Sequence, residues 1–415
     1  MPRAEILTIG DELLSGDVTD TNSNYLDNVL SDLGWEVTRH TTVRDEISEI
    51  AEAMRETTSR AELVVTSGGL GPTEDDLTLE ALARALGCPL RLDQPTLDRI
   101  AERFRSFGRE MTPNNARQAR VPEQGEIIAN DAGTAPGFLA SLGKAQILLL
   151  PGVPREVRWI TEHTLQTRFR LPQPVVLRRS LKLVGYGESR LAKDIDPIVT
   201  KHSPRIRFGY RAIGTEVHLK LATPLDDSDR TRELATNLLH DCEQDLRSLL
   251  GDRIFGTDET RLVDALSERL LRDSATVSVA ESCTGGLIAK LLTDRAGASG
   301  YFNGGLVTYS NQAKIDLLGV NAATLESEGA VSKAVAAEMA TNVRQKFGTT
   351  WGLSATGIAG PGGGSDEKPV GTVFVGLAGP TTLEVKPLRV IGDRDMIRSN
   401  TALLLLDLLR KSLGA

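Results

Sequence analysis

Over its first 170 residues the sequence alternates strand patterns with helical patterns, and this alternation limits the fold more than any other feature. Glu5 to Ile9 and Leu63 to Thr66 are apolar runs of strand length, and Asp20 to Leu33, closed by Gly34, has helical periodicity. Strands that alternate with helices form a parallel sheet with helices on both faces. We therefore predict a doubly wound α/β domain over residues 1–170.

The chain of 415 residues is too long for one ordinary core, so further domains are expected. Residues 171–256 show the order βαββαβ, which suits a small α+β module that connects or dimerises the chain. Residues 257–415 return to strands and helices joined by glycine-rich turns. The sequence thus predicts three domains, with an α/β domain at each end.

The composition argues against several classes of protein. The net charge of -8 and the absence of a sustained basic run argue against a nucleic-acid partner. No basic-then-apolar leader and no apolar run of about 18 residues is present, so we expect a cytoplasmic protein without a membrane partner. The cysteines Cys88, Cys242 and Cys283 lie far apart, which implies no disulfide framework. The last of the five histidines is His240, so residues 257–415 contain no imidazole base.

The turn around Ser282 joins an expected strand, Thr276 to Ala280, to an expected helix, Leu287 to Leu292. The first amides of a helix lack internal partners and favour negative charge. A hydroxyl beside such amides is well placed to attack a carbonyl whose oxyanion those amides then hold. Two alternatives stay open: Ser282 or Thr284 is only an N-cap, and Cys283 is either a rival nucleophile or a small buried residue.

A glycine-rich loop follows the strand that ends at Thr66. Its glycines allow a phosphate to approach backbone amides at a helix start. Asp75 and Asp76 then offer hard oxygen ligands to a divalent cation, and Asp11 and Glu12 follow another strand end. An ordinary helix N-terminus with acidic first-turn residues is the alternative. The candidate ligand-binding residues of this first domain are Gly68, Gly69, Gly71 and Thr73, with Asn130, Gly133 and Thr134 in a later loop that also suits a simple turn.

Motifs at both ends of the chain resemble those of the CinA family. In the last domain these are Ala280–Gly286, Tyr309-Ser310 with Lys314, Thr356–Pro361 and Lys368–Thr372; in the first domain they are Gly10–Leu14, Asp20–Asn22, Gly68–Thr73 and Asp75–Thr78. The resemblance covers essentially the whole chain.

The resemblance implies two activities. The last domain would be a nicotinamide-nucleotide amidase that converts nicotinamide mononucleotide and water to nicotinate mononucleotide and ammonia. The first domain would have the molybdopterin-binding fold and, as in some family members, would hydrolyse the pyrophosphate of ADP-ribose with a divalent metal. By its motif Ser282 would be the nucleophile, with Tyr309 and Lys314 as activating partners. A homodimer is also implied.

The amidase chemistry needs a base, and without histidine a desolvated lysine is the natural one. Apart from the resemblance, Lys314 would read as a surface lysine and Tyr309 as a core tyrosine. Glycine-rich amides would receive the phosphate; Arg394 and Arg398, spaced i and i+4, would add charge unless they form exposed salt bridges. The candidate substrate-binding residues here are Thr284, Gly285, Gly286, Gly357, Gly360, Arg394 and Arg398. No cofactor is expected in this domain.

A competing hypothesis is a binding or assembly protein, in which the first domain holds a pterin-like or nucleotide-like ligand without chemistry. The acidic residues separate the two hypotheses, because cleavage of a pyrophosphate needs a metal and simple binding does not.

Overall fold

The computed structural model describes residues 2–171, 176–224 and 229–413. The chain divides into two compact units, Met1–Leu177 with Pro224–Glu233, and Arg178–Thr223 with Leu234–Ala415. Within the described ranges no helix is both long enough and apolar enough to cross a membrane. The predicted mixed α/β class is confirmed.

The first unit carries alternating strands and helices up to residue 171. Its strands are β1 (Arg3–Ile9), β2 (Glu36–Val43), β3 (Leu63–Ser67), β4 (Leu90–Leu92), β5 (Arg120–Pro122), β6 (Glu126–Ile128), β7 (Gly137–Leu142) and β8 (Ala145–Leu150). Its helices are α1 (Asp11–Ser15), α2 (Thr21–Asp32), α3 (Ile47–Arg60), α4 (Thr78–Leu86), α5 (Gln94–Ser106), α6 (Pro154–Ile160) and α7 (Gln166–Arg168).

The main sheet of this unit has the order β2-β1-β3-β8-β7-β6 in the described residues. The strands β2, β1, β3 and β8 are parallel, as expected from the alternation. The parallel pairing does not extend to the other edge, where β7 runs antiparallel to both β8 and β6. The tight turn at Gly143 and Lys144 accounts for the pair of β7 and β8, since so short a connection can join only antiparallel strands.

Successive residues of β1 enter different cores. Leu7 and Ile9 belong to one buried apolar cluster, and Ala4 and Ile6 belong to another. Side chains alternate across a strand, so this pattern places a core on each face of the sheet. The polar loops that follow β1, β3 and β8 consequently gather at one edge, which is the usual ligand-binding edge of such a sheet.

The second unit begins with the βαββαβ module that the sequence predicts. Its elements are β9 (Val176–Val184), α8 (Glu188–His202), β10 (Arg207–Ile213), β11 (Glu216–Pro224), α9 (Asp229–Leu250) and β12 (Ile254–Thr257), and its sheet has the order β10-β11-β9-β12. Contacts tie this module to the last helix of the chain, because the Thr215 amide donates to Asn400 and Arg410 donates to the carbonyl of Asp252.

The remaining residues of this unit form a second α/β layer structure. The strands are β13 (Val277–Glu281), β14 (Phe302–Val307), β15 (Trp351–Gly357), β16 (Thr372–Ala378) and β17 (Leu383–Arg389). The helices are α10 (Leu262–Arg272), α11 (Leu287–Thr293), α12 (Asn311–Leu318), α13 (Ala322–Glu328), α14 (Lys333–Phe347) and α15 (Arg394–Ser412).

The sheet of this region has the order β14-β13-β15-β16-β17, with β13 between β14 and β15 and parallel to both. Val277 and Val279 face one apolar cluster and Ala280 faces another, so β13 is buried on both sides. An interior strand packed in this way holds the residue that follows it, Ser282, in a fixed place.

Candidate functional sites

Ser282 directly follows β13, at the carboxyl end of the three parallel strands. Its amide donates to the carbonyl of Ala355 on β15 at 2.9 Å, which ties the turn to the neighbouring strand. The side chain is mostly buried, with 8% of the residue exposed. The serine is thus held rigidly at a sheet edge, as a nucleophile requires.

Lys314 reaches Ser282 from the first turns of α12. Its Nζ lies 3.0 Å from the Ser282 Oγ, 2.8 Å from the carbonyl oxygen of Thr308 and 3.4 Å from that of Tyr309. Only 1% of the residue is exposed, so the alternative of a surface lysine is excluded. Burial lowers the pKa of the Lys314 amine below its ordinary value, because the charged form is poorly solvated there.

Cys283 directly follows Ser282, but its thiol is expected to be a weak nucleophile. Burial, together with the nearby charge of Glu281, raises the pKa of its thiol to about 11. A thiol with that pKa is almost entirely protonated at neutral pH, and the thiolate is the nucleophilic form. The hydrogen bond of Lys314 to Ser282, together with the raised pKa of the Cys283 thiol, therefore favours Ser282 over Cys283 as the candidate nucleophile.

The start of α11 is capped by a residue that the sequence analysis did not single out. The buried carboxylate of Glu281 accepts hydrogen bonds from the amides of Gly286, Ile288 and Ala289 at 2.9, 3.1 and 2.8 Å. Ser282 contacts Lys314 instead, and the hydroxyl of Thr284 is buried without a hydrogen-bond partner among the described residues. Neither of them is the N-cap.

The backbone amides that follow Ser282 differ in whether they already donate a hydrogen bond within the protein. The amide of Gly285 donates to the carbonyl of Ser282, and that of Gly286 is taken by Glu281. Within the described residues, the amides of Cys283 and Thr284 donate to no carbonyl or carboxylate. These two amides directly follow Ser282 and lie close enough to the Cys283 sulfur to lower the pKa of its thiol. They are the candidates to hold an oxyanion at this turn.

Arg398 and Arg394 of α15 flank this turn differently. Arg398 donates twice to the carbonyl of Thr284, at 3.0 and 3.3 Å, and also contacts Asp395. Arg394 donates to the carbonyl of Gly360 at 2.7 Å and to the hydroxyl of Tyr309 at 3.0 Å. Arg398 thus holds the turn that follows Ser282. Arg394 instead links the loop of Gly360 to the side chain of Tyr309.

We use the name "Ser282 pocket" for a small cavity of ≈ 190 Å³ that the candidate nucleophile lines. Its lining includes Ser282, Cys283, Tyr309, Lys314, Gly357 and Arg394. Tyr309 is 61% exposed, so it stands at the rim and is not a core tyrosine. Its backbone carbonyl, and not its hydroxyl, contacts Lys314. The three predicted catalytic residues therefore share one cavity.

The second site, which we name the "N-terminal cleft", is a cavity of ≈ 550 Å³ at the edge where β1, β3 and β8 end. It brings together residues from the separate loops that the sequence analysis selected. Those that line it are Glu12, Gly68, Gly69, Gly71, Asp75, Asp76 and Thr134. Asp11 lines an adjacent open hollow that shares Glu12 and Asp75 with the cleft.

Asp76 organises the glycine-rich loop. Its carboxylate accepts hydrogen bonds from the amides of Gly71 and Thr73, at 2.7 and 2.8 Å, and from the Thr73 hydroxyl at 2.6 Å. Asp75 is exposed beside it and faces the cleft. The two neighbouring aspartates thus differ, since one closes the loop and the other is open to a ligand.

The acidic residues give the cleft a negative field. Partial burial raises the pKa of the Asp45 carboxyl, and the charges of Glu12, Asp11 and Asp75 raise it further. In the described parts of the chain, no three His, Cys, Asp or Glu side chains converge closely enough to hold a metal ion by themselves. A magnesium-like ion commonly needs only one or two carboxylates when substrate phosphates complete its shell, and Glu12 and Asp75 fit that requirement.

Asn130, Gly133 and Thr134 lie along a small hollow of ≈ 190 Å³, and Thr134 also lines the main cleft. Asn130 mainly organises its own loop, because its amide group donates to Ala135 and Glu156 and its oxygen accepts from Gly133. Burial raises the pKa of the Glu156 carboxyl, which also lines the cleft.

Sequence reasoning missed Glu281, Asp45 and Glu156. Glu281 lies inside the motif around Ser282, so the sequence drew attention to this position. The sequence did not indicate that its carboxylate caps α11. Asp45 lies in the loop before α3 and Glu156 lies in the first turn of α6. Only the topology brings them to the cleft.

Comparisons with known proteins agree with this organisation. Three family models match consecutive parts of the chain: a probable molybdopterin binding domain over residues 5–171, a damage-inducible protein CinA KH domain over 178–278, and a CinA C-terminal domain over 259–413. A CinA-like protein of Anaeromyxobacter dehalogenans (strain 2CP-C) is 43% identical over 99% of this chain and 100% of its own length. A CinA-like protein of Myxococcus xanthus (strain DK1622) is 43% identical over 100% of this chain and 99% of its own. The chain belongs to the CinA family.

Solved structures match parts of the chain. The competence/damage inducible protein CihA from Agrobacterium tumefaciens is 40% identical, with a TM-score of 0.36, and covers 38% of this chain and 98% of its own. The molybdopterin biosynthesis enzyme MoaB from Thermus thermophilus is 26% identical, with a TM-score of 0.28, over 40% of this chain and 92% of its own.

Proposed function

We propose that the Ser282 pocket hydrolyses the carboxamide of nicotinamide mononucleotide to nicotinate mononucleotide and ammonia. The observation that carries this proposal is the environment of the Lys314 amine. Two of its three polar neighbours are carbonyl oxygens, which can only accept hydrogen bonds, and the third is the Ser282 hydroxyl. A neutral amine has two N–H groups and one lone pair. The carbonyls take the N–H groups, and the lone pair is left for the serine proton.

The acylation step follows from this arrangement. The proton of the Ser282 hydroxyl moves to the Lys314 amine while the Oγ forms a bond to the carboxamide carbon. The carbonyl oxygen becomes an oxyanion, and the amides of Cys283 and Thr284 are placed to stabilise it. When the carbon–nitrogen bond breaks, the Lys314 ammonium returns the proton to the leaving group, which departs as ammonia.

The second step reverses these roles. Water enters, gives its proton to the neutral Lys314 and attacks the ester carbon. The bond to Ser282 then breaks, the Oγ recovers the proton from Lys314, and nicotinate mononucleotide leaves. Lys314 serves as base and acid in turn, and no imidazole or metal takes part.

Arg394 supplies positive charge at the rim of the pocket, and we assign the substrate phosphate to this side. Its guanidinium lines the pocket and is held by Gly360 and Tyr309. Arginine is well suited to a phosphate because its planar fork donates two parallel hydrogen bonds. Tyr309 then orders this arginine and encloses the substrate.

The test is the release of ammonia from nicotinamide mononucleotide by the full-length protein, compared with its release from free nicotinamide. We expect the nucleotide to be hydrolysed with a much lower KM than the free amide. Hydrolysis of neither compound, or equal KM values, would contradict the proposal for this pocket.

We propose that the N-terminal cleft hydrolyses the pyrophosphate of ADP-ribose with a divalent cation. The favouring observation is the meeting of the glycine loop with Glu12 and Asp75 in a cavity large enough for a nucleotide. Glu12 and Asp75 would hold the cation, which would neutralise charge on the phosphates. Cleavage of ADP-ribose that requires added Mg²⁺ or Mn²⁺ supports this function. Binding without cleavage at any divalent metal would support a binding or assembly role instead.

A further inference from the structure

The turn that carries Ser282 is held by the buried carboxylate of Glu281, which takes no part in the bond-making or proton-transfer steps of the proposed reaction. Glu281 is 1% exposed, and both of its carboxylate oxygens are occupied: Oε2 accepts from Gly286 and Ile288, and Oε1 accepts from Ala289. A buried carboxylate is costly unless such bonds compensate for its lost water. The arrangement resembles an anion at a helix start, but the anion belongs to the protein.

The backbone of the same residue is linked to the catalytic lysine. The carbonyl of Glu281 accepts from the amide of Thr308 at 2.7 Å, and the carbonyl of Thr308 is the closest partner of the Lys314 amine, at 2.8 Å. Side chain and backbone of Glu281 therefore fix, respectively, the amides that follow Ser282 and the strand end that supports Lys314. Arg398 holds the same turn through the carbonyl of Thr284.

We infer that Glu281 is a positioning residue of the amidase site: its carboxylate holds the turn so that the amides of Cys283 and Thr284, and not those of Gly285 and Gly286, face the oxyanion. It also fills the start of α11, so the substrate phosphate binds elsewhere, on the Arg394 side. This inference rests on the proposed amidase function.

The variant Glu281→Gln tests it. A glutamine keeps the size of the side chain, but only one of its terminal atoms accepts hydrogen bonds, so at least one of the three amides loses its partner. We expect kcat for ammonia release to fall by at least about 10-fold, since small displacements of reacting groups have effects of this size. KM and the pH dependence of the remaining activity should stay as in the parent, because Arg394 and Lys314 keep their contacts.

A matched control comes from α10 in the same unit. Asp264 caps that helix by accepting from the amide of Arg261, and it does not line the Ser282 pocket. Asp264→Asn should lower the melting temperature without changing kcat. If Glu281→Gln likewise lowers the melting temperature and leaves kcat unchanged, Glu281 is only a structural cap and the inference is wrong.

A readout without substrate separates this inference from the proposed function. A fluorophosphonate probe reacts with an activated serine, and its rate of labelling Ser282 reports the serine and the amides beside it. We expect labelling of the parent and a rate lower by at least about 10-fold in Glu281→Gln. Equal labelling rates overturn the inference, whether or not ammonia is released. Labelling that falls as expected in a protein that releases no ammonia overturns the proposed substrate and keeps the role of Glu281.

Discussion

The Ser282 pocket and the N-terminal cleft differ in how far their polar groups are already paired within the protein. In the pocket, Lys314 and Ser282 are buried and joined by a direct hydrogen bond. In the cleft, Glu12 and Asp75 are exposed and face a cavity nearly three times as large, ≈ 550 Å³ against ≈ 190 Å³. Under the proposed functions, the pocket would contain its own reacting groups, whereas the cleft would need a cation.

This difference follows from the chemistry that each site would perform. Amide hydrolysis needs proton transfer between fixed groups, and burial both fixes Lys314 and lowers the pKa of its amine. Pyrophosphate cleavage is assisted by a metal ion that arrives with the substrate, so its carboxylates stay accessible. The two sites should therefore respond to different perturbations, with mutations at one leaving the other unchanged.

The largest expected effect is that of Ser282→Ala. It removes the nucleophile, and ammonia release should fall by roughly 10³-fold or more, as for other nucleophile deletions. The fold should persist, because the lost contact is a single hydrogen bond worth about 1 kcal/mol. The neighbouring Cys283→Ala is the matched control and should keep most of the activity. An inactive Cys283→Ala beside an active Ser282→Ala would reverse the assignment of the nucleophile.

The next prediction concerns the N-terminal cleft, where substitutions of Asp75 and Asp76 should have different effects on the cleavage of ADP-ribose. Asp75→Asn should reduce Mg²⁺-dependent cleavage of ADP-ribose by about 10-fold or more, which more metal would partly restore. Asp75 would hold the cation directly, and even the outer contacts of a bound metal are worth about 10- to 100-fold. Asp76→Asn should lose cleavage without rescue by metal, because the loop amides of Gly71 and Thr73 lose their anchor.

Ammonia release should be unchanged in both aspartate variants. Cleavage assays across a range of metal concentrations check the difference between them. Full activity of Asp75→Asn at low metal concentration would remove Asp75 from the proposed site.

A smaller effect is expected at the rim of the Ser282 pocket. Arg394→Gln should raise KM for nicotinamide mononucleotide by about 10-fold or more, the size of one lost charged hydrogen bond, with little change for free nicotinamide. Steady-state kinetics with both compounds measures this. A change in KM of the same size for both would indicate that Arg394 only shapes the wall through Tyr309 and Gly360.

Sequence patterns were sufficient for the order of most elements and selected many of the residues that line the two candidate cavities. The alternation of strands and helices determined which loops meet at an edge, and the motif around Ser282 lies where a strand was expected to end. The antiparallel edge formed by β6 and β7 was missed, because a tight turn at Gly143 carries little signal beside the long parallel pattern.

The burial and contacts of individual side chains could be determined only from the three-dimensional structure. The burial of Lys314 depends on the packing of α12 against α14 and on the contacts of its amine with Ser282 and Thr308, which follow β13 and β14. A short polar helix does not reveal its buried face in the sequence. The strand before Tyr309 ends at Val307, so Tyr309 lies in a loop and its hydroxyl reaches Arg394. Glu281 could not be assigned a role from sequence, because its three amide partners become adjacent only when α11 forms.

The pH dependence of kcat/KM for ammonia release, measured for the parent and for Lys314→Arg, tests the central claim most directly. A lysine base acts when neutral, so the rate of the parent should rise with pH and level off at a midpoint below the ordinary lysine pKa, because burial lowers the pKa of Lys314. Lys314→Arg keeps a cation that stays protonated across this range. It should lose about 100-fold or more of the activity at the plateau, together with the rising limb. Chelator should change neither profile. Near-parental activity of Lys314→Arg with the same rising limb would contradict the account.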